Sequence, residues 1–97
     1  MPEIKLDINE KGKGAFYSSE NGEQLGEMEV EISHGRLVVY HTEVLEKEEG
    51  KGFAKKLLEN MVDYARSHKL KVVPLCPYVN AQFKRHPEKY LDLWEKI

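Results

Sequence analysis

Apolar and polar residues alternate with a period of two in the first half of the chain, which is typical of half-buried strands. Residues 4–8 predict a first strand and residues 15–19 a second one. Between the second strand and the next apolar run lies Asn21-Gly22, which predicts a type I′ hairpin turn because both residue types tolerate positive φ. The pattern therefore begins as an antiparallel hairpin system.

The meander continues through two further strands. Residues 27–32 alternate between glutamate and apolar side chains, so the third strand has one buried face and one wet face. His34-Gly35 predicts another tight reversal, and residues 36–44 predict the fourth strand. Together the four strands form an antiparallel meander.

The hydrophobic period then changes to that of a helix. One stripe of the predicted helix carries Phe53, Leu57, Leu58, Met61, Val62 and Ala65. Residues 71–75 predict a fifth strand, which a right-handed crossover places parallel to the fourth. Because Pro74 cannot donate a ladder hydrogen bond, we expect these two strands to stop pairing partway and to splay apart. Residues 79–97 predict two short helices, broken near Pro87.

Length and composition restrict the class of protein. Ninety-seven residues with 40% hydrophobic and 33% charged content predict one globular α+β domain spanning residues 1–97. A net charge of -2 argues against a dedicated nucleic-acid-binding protein. The single cysteine, Cys76, excludes an internal disulfide and a multi-cysteine zinc site, and it fits a reducing compartment. Because the chain has no apolar run of signal-peptide or membrane-spanning type, we expect a cytoplasmic protein. We also expect it to be a monomer and to hold no metal.

The most informative segment is the glycine-rich turn Glu49-Gly50-Lys51-Gly52-Phe53-Ala54, between the fourth strand and the helix. Backbone N–H groups and the positive end of the helix dipole converge there and attract phosphate. Lys51, Lys55 or Lys56 can contact a second phosphate. A Walker A motif is excluded because Gly52 stands where serine or threonine is needed, and a dinucleotide fingerprint is excluded because Lys55 replaces its third glycine.

Three segments around this turn resemble the GNAT superfamily of N-acetyltransferases, whose turn reads Gln/Arg-x-x-Gly-x-Gly/Ala. The segments are His41-Thr42-Glu43-Val44, Val72-Val73-Pro74-Leu75-Cys76-Pro77-Tyr78 and Arg85-His86-Pro87-Glu88. The likeness covers residues 15–94 and is to the small single-domain members typified by the bacterial YjdJ-like group. Glu49 departs from the motif, because the family has arginine or glutamine there.

The resemblance implies binding of acetyl-coenzyme A and transfer of its acetyl group to a primary amine, such as a peptide lysine. A coenzyme A-binding or interaction module without catalysis is the alternative. In the catalytic case the pyrophosphate lies on the amides of residues 50–54. The pantetheine arm then runs between the splayed strands and pairs with residues 43–45, where Val44 or Leu45 donates to the thioester oxygen.

Four residues are candidates for the chemistry: Glu43, His41, Cys76 and Tyr78. The period of two places Glu43 on the strand face of Leu37 and Val39. A carboxylate buried there would have a raised pKa and would suit a general base. His41 shares the predicted face, although a histidine on a strand is more often structural than catalytic.

Cys76 and Tyr78 follow the fifth strand, where ligands bind in sheets that contain parallel pairs. Cys76 has three possible roles: a nucleophile that carries acetyl, a weak donor near the coenzyme sulfur, or a small buried hydrophobe. Tyr78 is a candidate for the acid that protonates the leaving thiolate, or else a lid over the coenzyme arm.

Overall fold

The computed structural model describes residues 3–48 and 50–95, which contain a five-stranded sheet in the order β1-β2-β3-β4-β5. The elements are β1 Glu3–Ile8, β2 Lys13–Glu20, β3 Glu23–Ser33, β4 Arg36–Val44, a 3-10 turn Glu46–Glu48, α1 Phe53–Ser67, β5 Lys71–Pro74, α2 Pro77–Arg85 and α3 Pro87–Tyr90. The strands β1 to β4 pair antiparallel, and β5 pairs parallel with β4. The predicted meander, crossover helix, parallel fifth strand and short C-terminal helices are confirmed.

Both predicted tight reversals have the backbone that their residues indicated. Asn21 and Gly22 have φ of 53° and 80°, and His34 and Gly35 have φ of 52° and 77°. Two consecutive residues at positive φ match the right-handed twist of the flanking strands, which types I and II turns do not. These turns therefore fix the strand pairing next to each reversal, and the register shifts by one residue further along, between Ser18 and Ser19 and between Glu29 and Val30.

The helix α1 packs on one face of the sheet with the predicted stripe. Its buried residues are Phe53, Leu57, Leu58, Met61, Val62 and Ala65. Five of these join a core cluster with Phe16, Met28, Leu37 and Val72 of the sheet and Val79 and Phe83 of α2. The core therefore lies on a single side of the sheet, and α1 and α2 share it. None of the helices in the described residues is long and apolar enough to cross a bilayer.

A β-bulge in β4 changes which side chains face the core. Val30 pairs with Val39, whereas Glu29 pairs with His41, so Tyr40 is one extra residue on β4. Because one inserted residue reverses the alternation, the residues after it change faces. The prediction that His41 and Glu43 share the face of Leu37 and Val39 is therefore wrong.

The parallel pairing of β4 with β5 ends halfway along β4. The last pair is Val39 with Pro74, whereas β4 continues to Val44. The predicted interruption is confirmed, but Pro74 is not its cause. The N–H of Val72 donates to the carbonyl of Leu93 at 2.6 Å, on the edge away from β4. Since N–H directions alternate along a strand, Pro74 lacks its N–H on that same outer edge.

The interruption comes instead from the chain reversal after Pro74. The N–H of Leu75 donates to the carbonyl of Val73 at 3.2 Å, and the N–H of Cys76 reaches the carbonyl of Val39 at 2.8 Å. Pro77 then begins α2, where its missing N–H and fixed φ suit the first helical position. The chain thus leaves the sheet at Cys76, while β4 runs on alone.

Candidate active site

The glycine turn presents an open surface with unpaired N–H groups at the start of α1. Gly50 and Gly52 have φ of 83° and 82°, which side-chain-bearing residues rarely adopt, and an added Cβ at either position would meet no atom within 4 Å. The first i to i−4 bond of α1 is donated by Lys56 to Gly52 at 3.1 Å. The N–H groups of residues 53–55 therefore precede the helical ladder, and no side chain caps them. Glu49 lies outside the described residues.

Lysine side chains lie at the rim of this surface. The Lys51 ammonium contacts the Glu48 carboxylate at 3.1 Å, and that glutamate side chain is only 14% exposed. Lys55 is exposed on the first turn of α1, next to the predicted phosphate position. A bound phosphate would compete with the Glu48 carboxylate for the Lys51 ammonium. The contribution of Lys51 to phosphate affinity would therefore depend on this competition, whereas that of the backbone N–H groups would not.

The free half of β4 exposes backbone groups to the side that β5 has left. The N–H of Leu45 donates to the carbonyl of Leu25 at 2.9 Å. Of the two predicted thioester donors, Leu45 is therefore already engaged. Because hydrogen-bond direction alternates along a strand, the N–H and C=O groups of Thr42 and Val44 point away from β3, toward the gap. An extended amide-bearing ligand can pair with them as an added strand would.

The free end of β4 and the segment that follows β5 diverge from a contact between Thr42 and Cys76, which we call the vertex. The Thr42 hydroxyl lies 3.3 Å from the Cys76 sulfur, and Cys76 is only 2% exposed. The bulge turned the side chain of Thr42 to this side of the sheet. The sequence did not indicate Thr42 as a site residue, although Thr42 lies within the segment His41-Thr42-Glu43-Val44. The signal that could have found it is a small polar residue between two charged ones.

Tyr78 lies in the first turn of α2, half-buried beside the core cluster. Burial is the main cause that raises the pKa of Tyr78 above its ordinary value, and the negative charges of Tyr90, Cys76 and Glu59 when ionised add to it. The phenol therefore stays protonated at neutral pH. Asn80 fixes the start of the helix by donating to the carbonyl of Pro74 at 3.2 Å.

His41 and Glu43 lie together on the opposite face of the sheet. Their side chains approach to 3.9 Å and are 62% and 70% exposed. The structure thus separates the four candidates into an inner pair, Cys76 and Tyr78, and an outer pair, His41 and Glu43. The expected burial of Glu43 is not present.

A groove of about 650 Å³ opens at the end of β4, and the outer pair lines it whereas Cys76 and Tyr78 do not. Its lining includes Thr42 and Val44 from the gap side and His41 and Glu43 from the outer face. Leu25 and Leu45 add apolar surface. The groove therefore connects the free edge of β4 with the face that carries the candidate bases. Among the described residues, no three His, Cys, Asp or Glu side chains group as ligands for a metal ion.

Comparisons with known proteins show the family of the chain. The family model of GCN5-related N-acetyl-transferases matches residues 15–93, which is most of the chain. The chain belongs to this family. No curated protein matches the chain.

Three solved structures are similar to this GCN5-related chain. A GCN5-like putative N-acetyltransferase from Staphylococcus aureus has 26% identity and a TM-score of 0.72, over 98% of this chain and 89% of that one. The ribosomal-protein-alanine N-acetyltransferase of Brucella melitensis has 22% identity and a TM-score of 0.62, over 84% and 64%. The ribosomal-protein-S18-alanine N-acetyltransferase of Escherichia coli has 14% identity and a TM-score of 0.61, over 66% and 42%.

These likenesses differ in what they show. The two ribosomal-protein enzymes share the fold, and this chain spans less than two thirds of the length of either. The Staphylococcus protein is matched over nearly its whole length. The chain is thus a small GCN5-related N-acetyltransferase domain with the predicted mixed sheet.

Proposed function

We propose that this protein transfers acetyl from acetyl-coenzyme A to a primary amine, with a protein or peptide lysine as the acceptor class. The observation that carries the proposal is the free edge of β4 beyond Val39. It lies between an open N–H-rich turn at residues 50–54 and the buried vertex at Cys76. A phosphate group, an extended amide chain and a reacting end would each meet a matching surface there.

The groups that would hold the coenzyme are mostly backbone groups. Of the N–H groups predicted at residues 50–54, that of Lys51 already donates to the carbonyl of Glu48 at 3.3 Å, so those of Gly52, Phe53 and Ala54 would bind the pyrophosphate, with the Lys51 and Lys55 side chains at the rim. The edge at Thr42 and Val44 would pair with the amides of the pantetheine arm. Acetyl-coenzyme A supplies the acetyl group as a thioester. Because the Leu45 N–H is engaged with Leu25, we assign the Val44 N–H as the donor to the thioester oxygen.

The outer pair supplies the proton acceptor. Glu43, with His41 at 3.9 Å, faces the groove from the solvent side and would accept the proton of the attacking amine, directly or through one water. The C–N bond then forms as the C–S bond breaks. Tyr78, kept protonated by its raised pKa, would return a proton to the departing thiolate from the inner side. Acid and base thus act from opposite sides of β4.

Cys76 favours direct attack over an acetyl-cysteine route. Its thiol is buried, and within the described residues its side-chain hydrogen-bond partner is the Thr42 hydroxyl. The candidate bases His41 and Glu43 lie on the other face of the sheet. A cysteine nucleophile needs an adjacent base or a stabilised thiolate. We therefore assign Cys76 to packing and to a weak contact near the coenzyme sulfur.

The first test is thermal stability with acetyl-coenzyme A, with adenosine diphosphate as the control ligand. A ligand at 100 times its Kd stabilises a protein by about 2.7 kcal/mol. A large shift with the coenzyme and a small one with the control supports the cleft, and turnover of amine peptides supports catalysis. No shift at millimolar coenzyme would refute the proposal.

The exposure of Glu43 favours one alternative, a coenzyme A-binding module without catalysis. Catalytic carboxylates are commonly shielded from water, whereas the Glu43 side chain is 70% exposed. Binding of the coenzyme with only background thioester hydrolysis across a panel of amines would support this alternative. Transfer that depends on Glu43 would exclude it.

A further inference from the structure

The sheet face turned away from α1 forms a second concave surface next to the proposed site. A shallow groove of about 530 Å³ runs across β2, β3 and β4 on that face. Glu27 lines both this groove and the one at the end of β4. We call the two grooves together the outer face. Its two parts adjoin at Glu27, and together they extend from the end of β4 to β2.

The outer face concentrates negative charge. Among the described residues that line it, five are acidic and Lys13 is the one lysine, in a chain with 17 acidic residues. These glutamates are Glu27, Glu29, Glu31, Glu43 and Glu46. The chain as a whole carries a net charge of only -2, so charge is segregated onto this surface. Within the described residues, none of the five forms a salt bridge with lysine or arginine, whereas Glu23, Glu48 and Asp92 do so elsewhere.

Strand register brings two of these carboxylates into direct opposition. Glu27 of β3 pairs with Glu43 of β4. Like charges directly opposite one another destabilise a sheet, and a cationic ligand would remove that repulsion. The surface therefore carries an unfavourable arrangement that a positively charged partner relieves.

Two tyrosines add a different kind of affinity to the outer face. Tyr17 and Tyr40 line the groove on β2 and β4. Tyr40 is 42% exposed and donates to the Glu31 carboxylate at 2.9 Å, which fixes the ring at the surface. Aromatic rings pack against the aliphatic stems of lysine and arginine and attract their charged ends. Acidic groups, the exposed ring of Tyr40 and the half-buried ring of Tyr17 thus favour the same class of side chain.

We propose that the outer face binds the basic flank of a peptide acceptor while its target lysine lies at the free edge of β4. This inference rests on the proposed function, because it deepens the acceptor class of the same site. The occupant is an extended segment rich in lysine or arginine, held by Glu27, Glu29 and Glu31 beside the tyrosine rings. Small polyamines share this charge and are the competing occupant.

The test uses two peptides of equal length with one target lysine, flanked either by arginines or by glutamines. The wild-type protein should acetylate the arginine-flanked peptide with the lower KM, and salt should reduce the difference. In Glu29→Gln/Glu31→Gln, the KM for the arginine-flanked peptide should rise about two- to tenfold with kcat unchanged. The glutamine-flanked peptide should be unaffected. Glu10→Gln/Glu88→Gln makes the same charge change outside the grooves and should alter neither KM.

Several outcomes would overturn the inference. Equal KM for the two peptides, or an equal effect of the groove and control variants, would show that the outer face does not select the acceptor while transfer itself stands. Preferred acetylation of spermidine with the same dependence on Glu29 and Glu31 would replace the peptide by a polyamine. Fluorescence anisotropy of a labelled arginine-flanked peptide, without coenzyme, measures the surface independently. Its binding persists if only the proposed catalysis fails.

Discussion

Replacing Gly52 with aspartate tests the phosphate-binding turn most directly. Gly52 has a φ of 82°, and a Cβ added there meets no atom within 4 Å. The new carboxylate therefore fits without a clash, next to the N–H groups of residues 53–55. Gly35 offers a matched control, since its φ is 77° and its added Cβ also meets nothing within 4 Å. It lies in the hairpin between β3 and β4, next to Lys71 and at the opposite end of β4 from the glycine turn.

The two substitutions should cost similar stability but have different effects on coenzyme binding. A side chain at such a φ destabilises by about 1 kcal/mol, which lowers Tm by roughly 4–8 °C in a domain of this size. Two like unit charges about 4 Å apart repel by about 4 kcal/mol at an effective dielectric constant near 20. That exceeds the ~2.7 kcal/mol of stabilisation that coenzyme at 100 times Kd provides. Gly52→Asp should therefore lose the response to coenzyme that Gly35→Asp keeps.

The assay is a thermal melt of the wild-type protein and both variants, each with and without acetyl-coenzyme A. We expect the coenzyme to raise Tm by roughly 10–20 °C in the wild type and in Gly35→Asp, and by almost nothing in Gly52→Asp. Equal coenzyme-induced shifts in the two variants would refute the assignment of the pyrophosphate to this turn. A lost shift in both would show that strain, and not charge, decides the result.

Three further predictions concern single side chains. The Ser18 hydroxyl is buried without a hydrogen-bond partner in the described residues, so Ser18→Ala should raise the free energy of unfolding by about 1 kcal/mol in urea titration; a loss of stability would disprove the reasoning. Cys76→Ala should keep acetyl transfer, and intact mass should show no acetyl adduct without acceptor; abolished transfer would restore the nucleophilic route. Tyr78→Phe should lower kcat about 10²-fold, and the wild-type profile should lose activity only at pH above the ordinary tyrosine pKa; unchanged kcat would remove Tyr78 as the acid.

The strands and the long helix follow from the sequence because local periodicity determines them. Residues 27–32 alternate without interruption, and the Asn21-Gly22 pair fixes the hairpin register. The apolar stripe predicted for the helix is the buried set of α1. In each case a single repeating pattern, repeated over several residues, decides which face is buried.

The bulge at Tyr40 could not be read from a period of two, because one inserted residue adds no distinctive composition. A contradiction in the predicted strand does point to it. Unbroken alternation places the charged Glu43 inward and the apolar Val44 outward, which costs burial of a charge on one face and exposes apolar surface on the other. A bulge resolves both. Sequence reasoning named Glu43 correctly as a strand residue but assigned it the wrong face.

The cause of the parallel strand ending was also beyond the sequence. Pro74 indicates a missing N–H, but only the three-dimensional register shows that the missing group faces the segment around Leu93 and not β4. Hydrogen-bond direction depends on which neighbour lies on which side, and one strand alone contains no such information. The Thr42–Cys76 contact has the same origin, since 34 residues separate its partners in the chain.

The free half of β4 has a consequence for the empty protein. A strand in the middle of a sheet normally protects all its amides, whereas Thr42 and Val44 lack a neighbouring strand on one side in the described residues. Exposed ladder groups of this kind are templates for pairing with another chain. A pantetheine arm in the gap would act as the missing strand, so a saturating concentration of coenzyme would suppress self-association as well as supply the substrate.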